Sequence, residues 1–216
     1  AIAQVFFQRA AEAKREGILR PLVENIFKIL IILGLFPMMV LLLIGDDLFS
    51  VIFGSQWNIA GIYIQILSIW AFVWFISSPL STVVAVLEKQ SWGLFYNSLN
   101  FSTRMISIVI GGIFGDVILA LVLFSLSGFI IYGYLCIKIM NYSQIPVKYS
   151  LKIIFSNLLQ VIPMGLILLL LVLLNIDSLI IVIFACILGL VYYMYNIKHE
   201  PLLKNLLDEY ILNQLK

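Results

Sequence analysis

The feature that most constrains this chain is a series of long apolar runs, each interrupted by few charged residues. A helix needs about 20 mostly apolar residues to cross a bilayer, and six runs approach or exceed that length. They are about Ile26–Ile44, Ile59–Leu87, Trp92–Gly112, Val117–Ile139, Leu151–Leu174 and Leu179–Tyr195. The runs are continuous rather than alternating, so they predict helices rather than barrel strands. The predicted fold is an all-α, polytopic membrane bundle of six transmembrane helices, with short connections that favour antiparallel neighbours.

The composition supports a membrane location. Of the 216 residues, 63% are hydrophobic and 11% are charged, whereas about a quarter of a soluble domain is charged. So few charges could not cover a globule of this size with polar surface. The net charge of +2 is too small to indicate a nucleic-acid partner, and membrane lipids are the expected surroundings.

The positive charges predict the orientation of the bundle, because Lys and Arg accumulate in cytoplasmic loops. All but one of the 13 Lys and Arg residues precede or open the first run, follow the sixth, lie in the second connection, or flank the fourth connection. The first, third and fifth connections hold no Lys or Arg and carry Asp46, Asp47, Asp116 and Asp177. We therefore predict a multi-pass protein of the cytoplasmic membrane, with both chain ends cytoplasmic and the acidic loops outside.

Two flanking segments differ from the apolar runs. Residues 1–25 predict a cytoplasmic linker and the end of a preceding helix, with residues 26–195 as the transmembrane domain. Residues 196–216 predict a cytoplasmic tail that is amphipathic, because Leu202, Leu206 and Tyr210 recur at helical spacing. A frayed, solvated terminus is the alternative. The chain begins without Met or a signal peptide, and we interpret it as a C-terminal fragment of a longer protein.

The sequence carries no recognisable catalytic motif. There is one histidine, His199, and no zinc-protease, paired CxxC, nucleotide-loop or nucleophile-elbow pattern. We predict a protein that is not an enzyme and that has no catalytic residue, metal site or cofactor.

A proline with hydroxyl neighbours interrupts the second run. In "FISSPLST", Ser77 and Ser78 precede Pro79, and hydroxyl groups can satisfy carbonyls that a proline leaves free. The pattern predicts a kink at these three residues, which is either a static bend or a point that moves during gating.

The third run contains the one cation that topology does not explain. Asn97, Asn100, Arg104 and Ser107 are spaced by three, four and three residues, so they share one helix face. An arginine at the centre of a membrane helix costs about 2.5–3.5 kcal/mol on insertion scales. One interpretation makes this face a substrate-binding surface in which Arg104 contacts an anion. The alternative is a structural arginine that donates to backbone carbonyls or to a carboxylate.

The first half of the chain resembles a known family of transporters. The strings "AQVFFQRAAEAKREG" and "LFSVIFGSQWNIAGIYIQILSIWAFVWFISSPLSTVVAVLEKQ", followed by "NSLN", resemble the C-terminal half of lipid-linked oligosaccharide flippases. These are the O-antigen and polysaccharide exporters of the multidrug/oligosaccharidyl-lipid/polysaccharide superfamily. The resemblance covers about residues 1–110, and none of the motifs that carry it is catalytic.

The resemblance implies a function and a partner. Family members have about twelve to fourteen spans in two bundles around a cavity, so this chain would supply the last six and pack against an N-terminal half. They move a polyprenyl-(pyro)phosphate-linked oligosaccharide across the cytoplasmic membrane by alternating access, for cell-surface polysaccharide biosynthesis. Arg104 would then meet the pyrophosphate. A drug or small-solute antiporter of the same superfamily and a non-transporting membrane component of polysaccharide assembly are the alternatives.

Overall fold

The computed structural model describes residues 2–204, with side chains described from Phe7 onward, and this part of the chain contains helices and no strand. The helices are α1 (Ile2–Glu16), α2 (Leu19–Phe53), α3 (Asn58–Leu80), α4 (Thr82–Val86), α5 (Gln90–Phe114), α6 (Val117–Tyr142), α7 (Val147–Leu173) and α8 (Ser178–His199). A short 3₁₀ turn, Ser55–Trp57, precedes α3. The prediction of an all-α fold is confirmed.

Five segments are long and apolar enough to cross a membrane: α2, the 3₁₀ turn with α3 and α4, α6, α7 and α8. The sixth predicted span is α5. It has 25 residues, which at 1.5 Å per residue is long enough to span, but Asn97, Asn100 and Arg104 lower its apolar content. Large apolar side chains, including those of Leu94 and Met194, cover the outer surface of the bundle. The chain is a multi-pass helical membrane protein.

Helix α2 lies at the centre of the bundle. It packs against α3 on one side and against α7 and α8 on the other, while α3 packs against α6 and α6 against α5. Hydroxyl groups tie α8 to α2: Tyr192 Oη donates to Ile32 O at 3.0 Å and Tyr193 Oη to Leu33 O at 2.9 Å. The antiparallel neighbours that short connections predicted occur for α2–α3 and α5–α6, but α7 packs more extensively on α2 than on α6.

Most helices extend beyond the apolar runs, because polar residues at membrane surfaces continue a helix without being apolar. Helix α2 was predicted to end near Ile44 but continues to Phe53 across a kink, where Ile44 has φ −134° and ψ 28°. The predicted outward loop 45–58 is therefore largely helical. The kink lies where Gly45 and Gly61 bring α2 and α3 together; a methyl group at Gly61 would collide with the backbone of Asp46. Gln65 Nε2 donates to Asp46 Oδ1 at 2.9 Å beside it.

The predicted linker is also helical and docked. Residues 19–25 belong to α2, and α1 buries Ala10 and Ala13, with α1 packed against α4. Lys14 Nζ donates to Val86 O at 2.8 Å and pairs with Glu88 Oε1 at 3.1 Å, which fixes α1 to the turn before α5.

The last membrane helix extends past residue 196, where the tail was predicted to begin. Helix α8 continues to His199, and Glu200 pairs through Oε2 with Lys28 Nζ at 2.6 Å. Residues 201–204 are helical and Leu203 is buried. Most of the predicted amphipathic tail, residues 205–216, lies outside the described residues.

Candidate functional site

Arg104 lies between α3, α5 and α6 with its guanidinium surrounded by aromatic rings. Its guanidinium carbon is 3.9 Å from the ring centroid of Phe124, 4.5 Å from that of Trp70 and 5.6 Å from that of Tyr132. We call these three rings the aromatic cage. A cation over such ring faces gains about 0.5–2 kcal/mol, at the upper end where water is excluded. The cage therefore holds an arginine charge about 21 Å from Gln90 and about 15 Å from Phe114 along α5.

Small residues allow the cage to form. Gly128 of α6 lies directly against the indole of Trp70, and a methyl group there would collide with it. Trp70 then meets Phe124 edge to face, with ring centroids 5.2 Å apart. Closer to the end of α5, Gly111 packs directly on Ala120 of α6. These two contacts let the three helices approach closely enough to enclose Arg104.

The residues of the polar face predicted on α5 lie in different environments. Asn100 Oδ1 accepts from Arg104 Nε at 3.1 Å, and Asn100 Nδ2 donates to Tyr132 Oη at 3.2 Å. Ser107 is buried at the α5–α6 contact, with its Oγ 3.4 Å from Ser127 Oγ. Asn97 is exposed and faces a groove. The structure thus brings Asn100 to Arg104, uses Ser107 in packing, and leaves Asn97 accessible.

One guanidinium nitrogen has no protein partner. Arg104 Nη2 is buried, and among the described residues it makes no hydrogen bond. The alternative interpretation, a structural arginine, predicts that Arg104 donates hydrogen bonds to backbone carbonyls or to a carboxylate. Within residues 7–204, Arg104 donates no hydrogen bond of this kind. Leaving a buried donor unsatisfied costs about 1–3 kcal/mol, more where the donor is charged. The arrangement therefore encloses a charged donor that has no acceptor among the described residues.

A groove of about 510 Å³ lies beside the cage, between the end of α3, α4, α5 and α6. We call it the polar groove; it is lined by Trp74, Ser78, Ser81, Val84, Ala85, Gln90, Trp92, Gly93, Leu94, Tyr96, Asn97, Tyr132 and Leu135. Tyr132 belongs to both the groove and the cage. Trp74 stacks on the cage residue Trp70, with ring centroids 5.9 Å apart and planes inclined by 27°. The groove and the aromatic cage are therefore adjacent and share Tyr132.

The proline predicted to kink the second span lies at the junction of two helices. Pro79 is the penultimate residue of α3, and α4 begins at Thr82. Ser77 is buried and its Oγ donates to Val73 O at 2.7 Å, while Thr82 Oγ1 donates to Pro79 O at 2.9 Å. Ser78 lines the polar groove. Of the three predicted kink residues, Ser78 therefore borders the same groove as Asn97, and the role of all three in gating stays a prediction.

A second cavity of about 350 Å³ lies between α2, α3, α6 and α7. Its lining is almost wholly apolar and includes Met39, Phe72, Phe129, Leu158 and Gly165. Sequence patterns did not reveal it, because its residues are ordinary apolar residues on four different helices. Within residues 2–204 no three His, Cys, Asp or Glu side chains are grouped as a metal site would require.

The fold and this site define a class: a multi-pass helical membrane protein with a caged arginine at membrane depth beside a polar, aromatic groove. Comparisons with protein-family models, with curated proteins and with solved structures found no match.

Proposed function

We propose that this protein translocates a polyprenyl-(pyro)phosphate-linked oligosaccharide across the cytoplasmic membrane by alternating access, for cell-surface polysaccharide biosynthesis. The observation that supports it is Arg104 Nη2, a charged donor that is buried without a partner among the described residues. Phosphate oxygens are strong acceptors for a guanidinium, with which they form short, charge-assisted hydrogen bonds. The resemblance of residues 1–110 to lipid-linked oligosaccharide flippases points to the same class of substrate.

The energetics favour a ligand role for the arginine. Three aromatic faces and one amide oxygen offset part of the cost of placing the charge in the membrane. They leave Nη2 without an acceptor, so the remaining cost would fall when an anion binds. The anionic group of the substrate would therefore bind at Arg104 on α5, while the lipid chain of the substrate would stay in the bilayer.

An antiporter for drugs or small solutes is the alternative within the same superfamily. Such a protein needs an acidic residue to bind cations or protons in its cavity. Among the described residues, no Asp or Glu lines the polar groove or contacts the Arg104 guanidinium. The site supports an anionic substrate better than a cationic one.

The proposal is tested by export of surface glycan from cells carrying Arg104→Lys, Arg104→Gln and Arg104→Ala, at matched protein abundance. Loss of a charge-assisted hydrogen bond weakens binding by about 10- to 100-fold, so the Gln and Ala variants should lose export and the Lys variant should retain part. Met105→Ala, at an exposed neighbouring position, is the control and should export normally. Normal export by all three Arg104 variants would refute the proposal.

A further inference from the structure

We infer that the polar groove binds an uncharged sugar ring, the one adjoining the phosphate of the lipid-linked substrate. This inference rests on the proposed function and adds the substrate's sugar chemistry to it. The groove volume of about 510 Å³ falls within the roughly 300–1,000 Å³ that is usual for small-ligand sites.

The lining of the groove is polar, aromatic and without formal charge. Trp74, Trp92, Tyr96 and Tyr132 supply the rings, and the polar groups come from Ser78, Ser81, Gln90 and Asn97. None of the described lining residues is Asp, Glu, Lys, Arg or His. Amide and hydroxyl groups beside aromatic faces suit a ligand with many hydroxyl groups and an apolar C–H face, which is the chemistry of a pyranose.

A buried hydroxyl in the lining points to a hydroxylated ligand. Tyr96 is only 6% exposed, and its Oη is buried without a hydrogen bond of standard geometry among the described residues. The Tyr132 ring lies beside the Tyr96 ring, with centroids 6.0 Å apart. The Tyr96 ring stacks on Trp92, with centroids 5.7 Å apart and planes inclined by 20°, so the phenol is held in place. An acyl or prenyl chain could not satisfy this hydroxyl, whereas a sugar hydroxyl could.

The groove is connected to the proposed phosphate contact through two routes. Tyr132 lines the groove, and its hydroxyl receives the hydrogen bond from Asn100, which itself holds Arg104. Trp74 lines the groove and stacks on Trp70 of the cage. A ligand with an anionic group next to a sugar ring would therefore engage both parts of the site at once.

The same lining selects against an acidic sugar. Arg104 is the basic residue at the site, and in the proposed complex it pairs with the phosphate. A uronic acid in the groove would place its carboxylate beside uncharged residues, and burying an unpaired carboxylate is strongly unfavourable. We therefore expect a neutral hexose or an N-acetylhexosamine at this position of the glycan.

The test measures binding of short-chain prenyl diphosphates to the purified protein in lipid nanodiscs by isothermal titration calorimetry. The probes are a ten-carbon prenyl diphosphate alone and the same diphosphate carrying glucose, galactose, N-acetylglucosamine or glucuronic acid. At least one neutral sugar should tighten binding about tenfold over the bare diphosphate, and glucuronic acid should not. Tyr96→Phe should remove most of this tenfold gain, and Arg104→Gln should weaken all probes by a similar factor.

The outcomes separate this inference from the proposed function. If the bare diphosphate binds and no neutral sugar tightens it, the sugar inference is wrong and the proposed function stands. If a neutral sugar tightens binding and Tyr96→Phe leaves this tighter binding unchanged, the sugar inference is also wrong. If no diphosphate probe binds at all, both fail. Phe95→Leu, at an exposed position of α5 outside the groove lining, is the control and should bind as the wild type does.

Discussion

The guanidinium carbon of Arg104 lies 3.9 Å from the centroid of the Phe124 ring, at the contact between α5 and α6. The cage around this charge is aromatic, and its only hydrogen-bond acceptor among the described residues is Asn100 Oδ1. The arginine is therefore stabilised by ring faces more than by hydrogen bonds, which bears on how a substitution would affect stability.

We expect Arg104→Met to cost the protein little stability while abolishing its function. The substitution removes a buried donor without a partner, and with it a desolvation cost of about 1–3 kcal/mol. It also removes cation–π contacts that stabilise the fold by about 0.5–2 kcal/mol. These ranges put the net change in the free energy of unfolding between a loss of about 1 kcal/mol and a gain of about 2.5 kcal/mol. Breaking a fully paired buried charge would instead cost about 3–5 kcal/mol. Thermal unfolding in detergent and glycan export of the same variant distinguish these cases, and a large loss of stability would favour a structural arginine.

Gly128 should be essential for the cage, because its missing side chain makes room for Trp70. Gly128→Ala would force the indole away from the Arg104 guanidinium, and overpacking of this kind costs about 1–3 kcal/mol. Gly133→Ala lies in the same helix with no atom within 4 Å of the added methyl. It should be neutral or stabilise by up to about 1 kcal/mol through helix propensity. Unfolding midpoints and tryptophan fluorescence measure both effects, and equal behaviour of the two variants would contradict this role of Gly128.

The sequence predicted the helical fold because apolar length is a local property, and it predicted that Asn100 shares a face with Arg104 because both lie on one helix. It could not predict Trp70, Phe124 and Tyr132 as the arginine's neighbours. They come from α3 and α6, and their approach depends on the depth and rotation of both helices. Gly128, close to Trp70 in space but far in sequence, is the clearest signal of this packing, yet a lone glycine in an apolar run does not identify its contact. The kink at Ile44 was missed for a similar reason, since the contacts beside it come from Gly61 and Gln65 of α3.

The crossing of α5 and α6 provides a second matched pair. A methyl group added at Gly111 would collide with Ala120 of α6, whereas Gly112 has no atom within 4 Å of an added methyl. Gly111→Ala should destabilise the protein by about 1–3 kcal/mol, and Gly112→Ala should be neutral or slightly stabilising. Chemical unfolding in mixed micelles measures the difference. A Gly111→Ala variant as stable as Gly112→Ala would show that this helix contact is not tight in the membrane.

The ion pair between Lys28 and Glu200 should hold the segment after α8 against α2. Lys28 Nζ and Glu200 Oε2 are 2.6 Å apart, and both side chains are partly buried, with 32% and 23% exposure. Glu200→Gln should weaken this docking by roughly 1–3 kcal/mol, between the values for exposed and buried pairs. Hydrogen exchange at Lys204, whose amide donates to Glu200 O at 3.2 Å, should then become faster. Glu12→Gln is the control, because its pair with Arg9 is 3.7 Å long and exposed; a similar change in both variants would contradict a specific role for Lys28 and Glu200.

The predicted orientation can be tested with single cysteines in a background carrying Cys136→Ser and Cys186→Ser, which replaces both native cysteines. Gln56 is exposed at the 3₁₀ turn before α3, and Lys89 is exposed in the turn before α5. One membrane span, α3 with α4, separates them, so they must lie on opposite sides. The first, third and fifth connections lack Lys and Arg, whereas the second holds Lys89, and this pattern predicts that residue 89 is cytoplasmic. A membrane-impermeant maleimide added to intact cells should label Gln56→Cys and leave Lys89→Cys unlabelled until the cells are permeabilised. The reverse pattern would invert the bundle and place Gln90, at one end of the polar groove's lining, on the outer side.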